Sequence, residues 1–228
     1  MNTNGRKMSW RVRTVLTVAL VIFFPYIPSA GGPNDNFNPN LYITPTLKYS
    51  IVGKGLALMY EPQLLSMAAR INKEMRSNRF ELIDVNRSPM GSIGFFASPS
   101  NSSPTARYLG VTARVNIKLT YFSDSDAGRL SDAMDAFGKD LLGILGQTVS
   151  GMQGVNGVVL ILVYGKLDLK DPDYWTDAEA MAIYIPIAPL KEFNGLRLRF
   201  SELYDQSEMF MFKGDDQIQN MFRDFMKG

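Results

Sequence analysis

A long alternation of apolar and polar residues, from Tyr108 to Phe122, constrains the fold more than any other feature of this sequence. Side chains of a strand point alternately to its two faces, so the pattern predicts a long strand in a sheet with one buried and one solvated face. The residues predicted to face the core are Leu109, Val111, Ala113, Val115, Ile117, Leu119 and Tyr121. Those predicted to face solvent are Thr112, Arg114, Asn116, Lys118 and Thr120.

A helix and a second strand are predicted directly after this strand. Apolar residues recur at helical spacing from Asp126 to Met152, and Val158–Val163 is an unbroken apolar run. Each of Gly138, Gly143 and Gly146 would weaken a helix by about 1 kcal/mol relative to alanine. Close packing of the helix on the sheet, or an earlier end of the helix, would explain their presence. The apolar side of the helix is predicted to comprise Leu130, Met134, Phe137, Leu141, Ile144 or Leu145, and Val149.

The segment 46–86 predicts another strand–helix–strand unit. Thr46–Tyr60 is expected to contain a strand, with Gly53 and Gly55 marking a turn or bulge. Pro62 suits the first turn of the following helix, and Phe80–Val85 is expected to return as a strand.

The rest of the chain predicts further strands and a short final helix. Met181–Ile187 alternates, Asn194-Gly195 is typical of a hairpin turn entering a strand up to Phe200, and Glu208–Phe212 reads as extended. A terminal helix is expected to begin near Asp215 or Asp216. The predicted fold class is therefore α+β. It has a mixed sheet with two strand–helix–strand units (46–86 and 107–166), helices packed on one face and a short C-terminal helix.

The first residues of the chain predict a secretory signal peptide, residues 1–31. A basic start, an apolar segment Thr14–Ile27 and the small residues Ser29-Ala30-Gly31 are the parts that such a signal needs. The alternative is an uncleaved anchor, but this apolar segment would rise only about 21 Å as a helix, short of the roughly 30 Å hydrocarbon core. The expected location is the periplasm or the cell exterior, with membrane contact only through an uncleaved leader.

The domain organisation follows from composition. Residues 32–45 are rich in Gly, Pro and Asn and predict a flexible connector. Residues 46–228 are expected to form a single α+β domain, with 46–104 and 105–228 as conceivable sub-units. All acidic residues lie after the leader, which leaves 20 of the 24 basic residues against 22 acidic ones. The formal charge of +2 thus gives no support to nucleic-acid binding.

The sequence contains neither cysteine nor histidine. Disulfides, thiol nucleophiles and thiolate metal sites are therefore excluded, and so are Ser–His pairs and haem ligation by a protein imidazole. Ordinary zinc sites lose their main ligands as well. No cofactor is expected.

An amphipathic helix running into Ser77–Val85 (SNRFELIDV) resembles the helix–strand unit of small α/β domains in bacterial envelope-assembly proteins, such as those of curli secretion and the Tol system. The resemblance covers residues 61–86 and implies an envelope location and a role in assembly. It carries over no catalytic or ligand residues. The absent cysteine departs from the lipid-anchored members of that group.

The acidic segment from Asp168 to Glu179 is the predicted binding site. Its oxygen ligands could hold Ca²⁺, and its aromatic rings could stack on a sugar or form a protein contact. The spacing does not match an EF-hand. The alternative interpretation is a solvated loop in which Thr176 caps a helix through Glu179. The candidate binding residues are Asp171, Asp173, Tyr174, Trp175 and Asp177.

The function predicted first is that of a non-catalytic, exported binding or assembly protein of a bacterial envelope. Its partner would be another envelope protein or a cell-surface polymer, bound at a sheet edge or at the loop around Tyr174 and Trp175. A second interpretation is a carboxylate-based hydrolase of extracellular polysaccharide, which needs no histidine. A third is a membrane-inserting protein that uses the uncharged residues 141–165.

Overall fold

Six strands form one mixed sheet in a computed structural model of the chain. The model describes residues 37–75, 80–88, 90–97, 106–115, 134–167 and 175–213. The strands are β1 (Phe80–Leu82), β2 (Ile93–Ala97), β3 (Arg107–Val115), β4 (Gly157–Leu167), β5 (Trp175–Pro186) and β6 (Glu208–Lys213). Their order is β1-β3-β4-β5-β6, and β2 pairs with β3 on the same side as β1. β3 and β4 run parallel, whereas the other strand pairs are antiparallel.

The described helices all contribute to one core on one face of this sheet. They are α1 (Ile51–Met59), α2 (Glu61–Met75), α3 (Lys139–Val149), α4 (Ile187–Asn194) and α5 (Phe200–Asp205). Leu190 of α4 and Leu203 of α5 join α1, α2 and α3 in the same cluster, together with alternate residues of the strands. The predicted α+β fold, with a mixed sheet and helices on one face, is confirmed.

The predicted strand–helix–strand unit at 107–166 is found as β3, α3 and β4, with the two strands parallel. A π-helical turn, Met134–Gly138, leads into α3, whose Leu141, Leu145 and Val149 are buried. Close packing on the sheet is not what the glycines show: a Cβ at Gly143 would meet nothing within 4 Å, and Gly146 packs against a helix. A Cβ at Gly146 would lie 1.8 Å from Asn194 Nδ2 of α4, so this glycine admits a neighbouring helix and not the sheet.

The uncharged run 141–165 folds as most of α3, a turn and most of β4. The turn contains Gly154 at φ +76°, a conformation that favours glycine. Val158 and Leu162 of β4 are fully buried at the centre of the sheet. No helix in the described ranges is long and apolar enough to cross a membrane.

The strand predicted within Thr46–Tyr60 is wrong, because Ile51–Met59 is helix α1. Ser50 caps this helix by accepting a hydrogen bond from the Gly53 amide at 3.5 Å. Gly53 does not mark a turn, since its missing side chain makes room for a ring. A Cβ there would lie 3.0 Å from Cδ1 of Tyr49. The first predicted unit is therefore helix, helix and strand.

The hairpin predicted at Asn194-Gly195 is also wrong. Asn194 is the last residue of α4, and the Gly195 amide donates to the Lys191 carbonyl oxygen at 2.9 Å as a helix C-cap. Helix α5 then begins after Arg199, whose amide donates to Glu202 Oε2 at 2.7 Å. Asn-Gly ends helices as readily as it forms hairpins, and only the long-range packing distinguishes the two outcomes.

The face of the sheet opposite the helices is not solvated as predicted. Thr112 of β3 is only 1% exposed, and a second apolar cluster occupies this face: Phe96, Val159, Ile161, Ala180, Ala182 and Tyr184. The ring of Phe96 lies over Gly110, where a Cβ would come within 2.2 Å of it. The alternation of β3 alone predicted one wet face, but its neighbours β4 and β5 are apolar on both sides, as buried strands are.

Four predicted features lie outside the described residues: the leader 1–31, the strand residues after Val115, the helix residues 126–133 with Leu130, and the C-terminal helix from Asp215 or Asp216.

Candidate functional site

The predicted acidic binding segment is only partly described. Asp171, Asp173 and Tyr174 lie outside the described residues. Trp175 and Asp177 were expected in a loop, but their backbone belongs to β5. The β4–β5 ladder continues past the apolar run through a register shift at Gly165/Lys166, and this irregularity lengthens both strands.

Glu179 was considered as the capping partner of Thr176, and that interpretation is wrong. Both residues lie in β5, where Glu179 pairs in register with Lys213 of β6. The Glu179 side chain is 2% exposed. A carboxylate so enclosed offers little access to a polysaccharide chain. Within the described part of the chain, no group of three or more acidic side chains is placed to hold a metal ion.

One edge of the sheet is covered by the chain itself. The Thr44 amide donates to the Ile93 carbonyl oxygen at 2.8 Å, and the Ser92 amide donates to the Tyr42 carbonyl oxygen at 2.8 Å. Ile43 forms a parallel bridge with Ile93 of β2. These residues fall in the stretch predicted to be a flexible connector, 32–45. That prediction is wrong for its second half, because backbone pairing with β2 holds the chain in place.

The opposite edge of the sheet is β6. Its residues pair along their whole length with Glu179–Tyr184 of β5. In the described part of the chain, no strand pairs with β6 on its other side. Edge strands present a row of N–H and C=O groups to which another chain can add.

The side chains of β6 are apolar on both of its faces. Phe210 and Phe212 pack against the second cluster, and Met211 packs against the helix-side core. The ring of Phe210 meets Tyr184 edge to face, with centroids 5.8 Å apart. Met209 is 46% exposed. The strand thus combines an edge position among the described strands with an exposed apolar side chain.

Helix α5 fixes the position at which β6 begins. Ser207 Oγ donates to the Leu203 carbonyl oxygen at 2.6 Å, and the Ser207 amide donates to the Tyr204 carbonyl oxygen at 3.1 Å. Leu203 is buried. Since both ends of this turn are anchored, β6 is pre-organised, and a partner strand would not have to order it.

Sequence reasoning predicted β6 as extended but could not identify it as an edge, because strand order depends on pairing between distant residues. It also missed the buried Arg107, which the alternation analysis did not include. Arg107 Nη2 donates to Ser50 Oγ at 3.3 Å and so joins β3 to the start of α1. Burial lowers the pKa of this guanidinium from its ordinary value.

Comparisons with models of known protein families, with curated protein sequences and with solved structures found no match for this chain. The resemblance of residues 61–86 to envelope-assembly domains stays a prediction.

Proposed function

We propose that this protein is a non-catalytic binding protein of the bacterial envelope, exported to the periplasm or beyond, which holds an extended segment of a partner protein along β6. The single observation that carries the proposal is the edge position of this apolar strand. The predicted export signal supports a location outside the cytosol.

Strand addition at a sheet edge supplies both affinity and specificity. The backbone hydrogen bonds of the added strand provide affinity, and its alternate side chains are read by the flanking surface. Next to β6 that surface would consist of Met209 and Met211 on one face and of Phe210 and Phe212 on the other. Methionine side chains adapt their shape to different apolar partners, which suits a site that receives a peptide.

Binding is favoured over hydrolysis by what the chain contains. A sequence without histidine or cysteine leaves paired carboxylates as the principal route to hydrolysis. Within the predicted acidic segment, Glu179 is the acidic residue whose side chain is described, and it is buried.

Site-specific crosslinking in cells tests the proposal. A photoreactive residue in place of Met209 should give one discrete crosslinked envelope protein. The same residue in place of Leu196, which is 93% exposed but not on a strand, should give none. Met209→Lys should weaken capture of that partner by about tenfold or more, because charge on an edge strand opposes strand addition. Leu196→Lys is the matched control.

Equal crosslinking from both positions would contradict strand addition at β6. Multiple-turnover hydrolysis of an envelope polysaccharide by the purified protein would overturn the non-catalytic role.

A further inference from the structure

Helix α1 is apolar on both of its sides. Its inner side contributes Leu56 and Ala57 to the core, and Tyr60 continues that side. The residues on the outer side and in the turn before it leave at least half of each side chain exposed: Leu47, Ile51, Val52, Leu58 and Met59. Ile51 is 92% exposed and Leu47 89% exposed. A helix that is apolar all round is normally buried on all sides.

The exposed apolar residues form a continuous surface. At about 100° per residue, Leu58, Ile51, Gly55, Met59 and Val52 follow one another around a single arc of the helix. Gly55 lies at the middle of this arc, and a Cβ there would meet nothing within 4 Å. We call these five residues, together with Leu47, the outer face of α1.

The charged residues of α1 and of the turn before it are both lysines. From Phe37 to Tyr60 the sequence contains Lys48 and Lys54 and no acidic residue. Both lysines are exposed, and Lys54 lies at the border of the arc. The nearest acidic residues along the sequence are Asp35 and Glu61, and Glu61 begins α2.

We propose that the outer face of α1 rests on a lipid surface with anionic headgroups. Apolar side chains at the acyl boundary, flanked by lysines that meet anionic headgroups, are the recognised chemistry of interfacial helices. This contact is separate from the β6 edge and does not depend on the function proposed for it. It is also distinct from the leader, since it belongs to the folded part of the chain.

Charge complementarity selects the lipid surface over the other available occupants. In a symmetric dimer the same face would meet itself, so the interface would contain Lys48 and Lys54 of both copies and no acidic residue of α1. The leader carries Arg6, Lys7, Arg11 and Arg13 without an acidic residue, so it is no better matched. An anionic bilayer neutralises the lysines and accepts the apolar side chains together.

The outer face is held ready by the fold. The Tyr60 hydroxyl donates to the Gln153 carbonyl oxygen at 3.1 Å and accepts from the Gln153 amide at 2.6 Å. Ser50 caps the opposite end of α1 and accepts from Arg107. Because both ends are fixed, membrane contact would not require this helix to form on the lipid, unlike helices that fold only on binding.

A fluorescent thiol label tests the proposal, since the chain has no cysteine and any introduced thiol is unique. The full chain with Ile51→Cys carries an environment-sensitive dye on the outer face. Ser66→Cys carries it on the exposed side of α2 as a control. We expect a blue shift of the dye at position 51 with vesicles of phosphatidylethanolamine and phosphatidylglycerol, and none with phosphatidylcholine alone. The dye at position 66 should not shift, and any tethering by residues 1–31 affects both labels equally.

Two further variants report on the chemistry of the contact. Leu58→Asp should abolish the shift at position 51, whereas Ser66→Asp should leave it intact. Both sites are exposed, so thermal melting should show that each variant folds. Gly55→Leu should enlarge the shift because a flat lipid surface accepts the added side chain.

Each alternative occupant gives a different result, and each would overturn the proposal. A blue shift that grows with protein concentration without vesicles indicates a second copy. A shift already present in dilute protein without vesicles indicates cover by another segment of this chain. Loss of the vesicle-induced shift in Gly55→Leu indicates a surface that needs close approach at this glycine. Equal shifts at positions 51 and 66 indicate that the vesicle does not select the outer face.

Discussion

Helices α1 and α2 are consecutive, with Tyr60 alone between them, yet they meet their surroundings in opposite ways. In α2 the buried side contains Leu64 and Ile71, and the exposed side carries Arg70 and Glu74, whose charged groups are 2.8 Å apart. In α1 both sides are apolar. The comparison separates apolar residues that the core requires from apolar residues that it does not. The outer face of α1 belongs to the second kind.

The largest expected difference between the two helices comes from replacing one isoleucine on each helix by alanine. Ile71→Ala should lower the free energy of unfolding by about 2–5 kcal/mol, since it leaves a cavity in a fully buried site. Ile51→Ala, at a site 92% exposed, should change it by no more than about 0.5 kcal/mol. Urea unfolding of both variants measures the difference, and equal losses would show that the outer face is part of the core.

A pH dependence comes from Tyr49, which lies just before α1. Burial raises the pKa of its hydroxyl to about 12, although hydrogen bonds with the Thr44 side chain and from the Phe95 amide lower it. The folded protein therefore keeps this proton at pH values where the unfolded chain loses it. The contribution to stability is complete below about pH 10 and falls as the pH rises toward 12, by about 3 kcal/mol in total.

The Tyr49→Phe variant should not show this part of the loss of stability at alkaline pH. Urea unfolding of both proteins below and above about pH 10 checks it. Parallel pH profiles for the two proteins would contradict the assignment to Tyr49.

The next largest loss of stability is expected at Tyr60, the junction between α1 and α2. Tyr60→Phe removes both hydrogen bonds to the Gln153 backbone and should cost about 1–3 kcal/mol, because those groups lose their partner. Gln153→Ala is the matched control, since the bonds use its backbone atoms and its side chain is exposed. If thermal unfolding showed the same loss of stability for both variants, these two hydrogen bonds would not be what stabilises the junction.

The smallest effect distinguishes the two glycines of α1. Gly55→Ala should stabilise the protein by about 0.5–1 kcal/mol, because the site is open and alanine favours helix. Gly53→Ala should instead destabilise it, since the new Cβ would lie 3.0 Å from the ring of Tyr49. Thermal unfolding of both variants gives the two signs, and the same sign for both would contradict this account.

The central part of the fold could be predicted from sequence where one pattern extends over many residues. The alternation within β3, the buried stripe of α3 and the apolar run of β4 gave three elements and their order. Short segments could not be predicted in this way. Thr46–Tyr60 and Phe193–Phe200 each contain glycines that are compatible with either a turn or a helix, and tertiary packing decided both.

The candidate site was harder to predict than the fold, for a different reason. An edge strand is defined by what lies beside it, and the outer face of α1 is defined by what leaves it exposed. Neither property is local in sequence. The acidic segment was predicted as the binding site because its carboxylates are close together in sequence. Glu179, however, is buried in the sheet.

The pairing of Thr44 with Ile93 has a practical consequence for where the folded region starts. A fragment that begins at Thr46, the boundary that composition suggests, would retain all six described strands. It would lose the residues whose backbone pairs with Ser92 and Ile93 at β2. Such a fragment would have a second unpaired edge strand and would be prone to aggregate edge to edge. Expression of the isolated domain therefore has to begin before Tyr42.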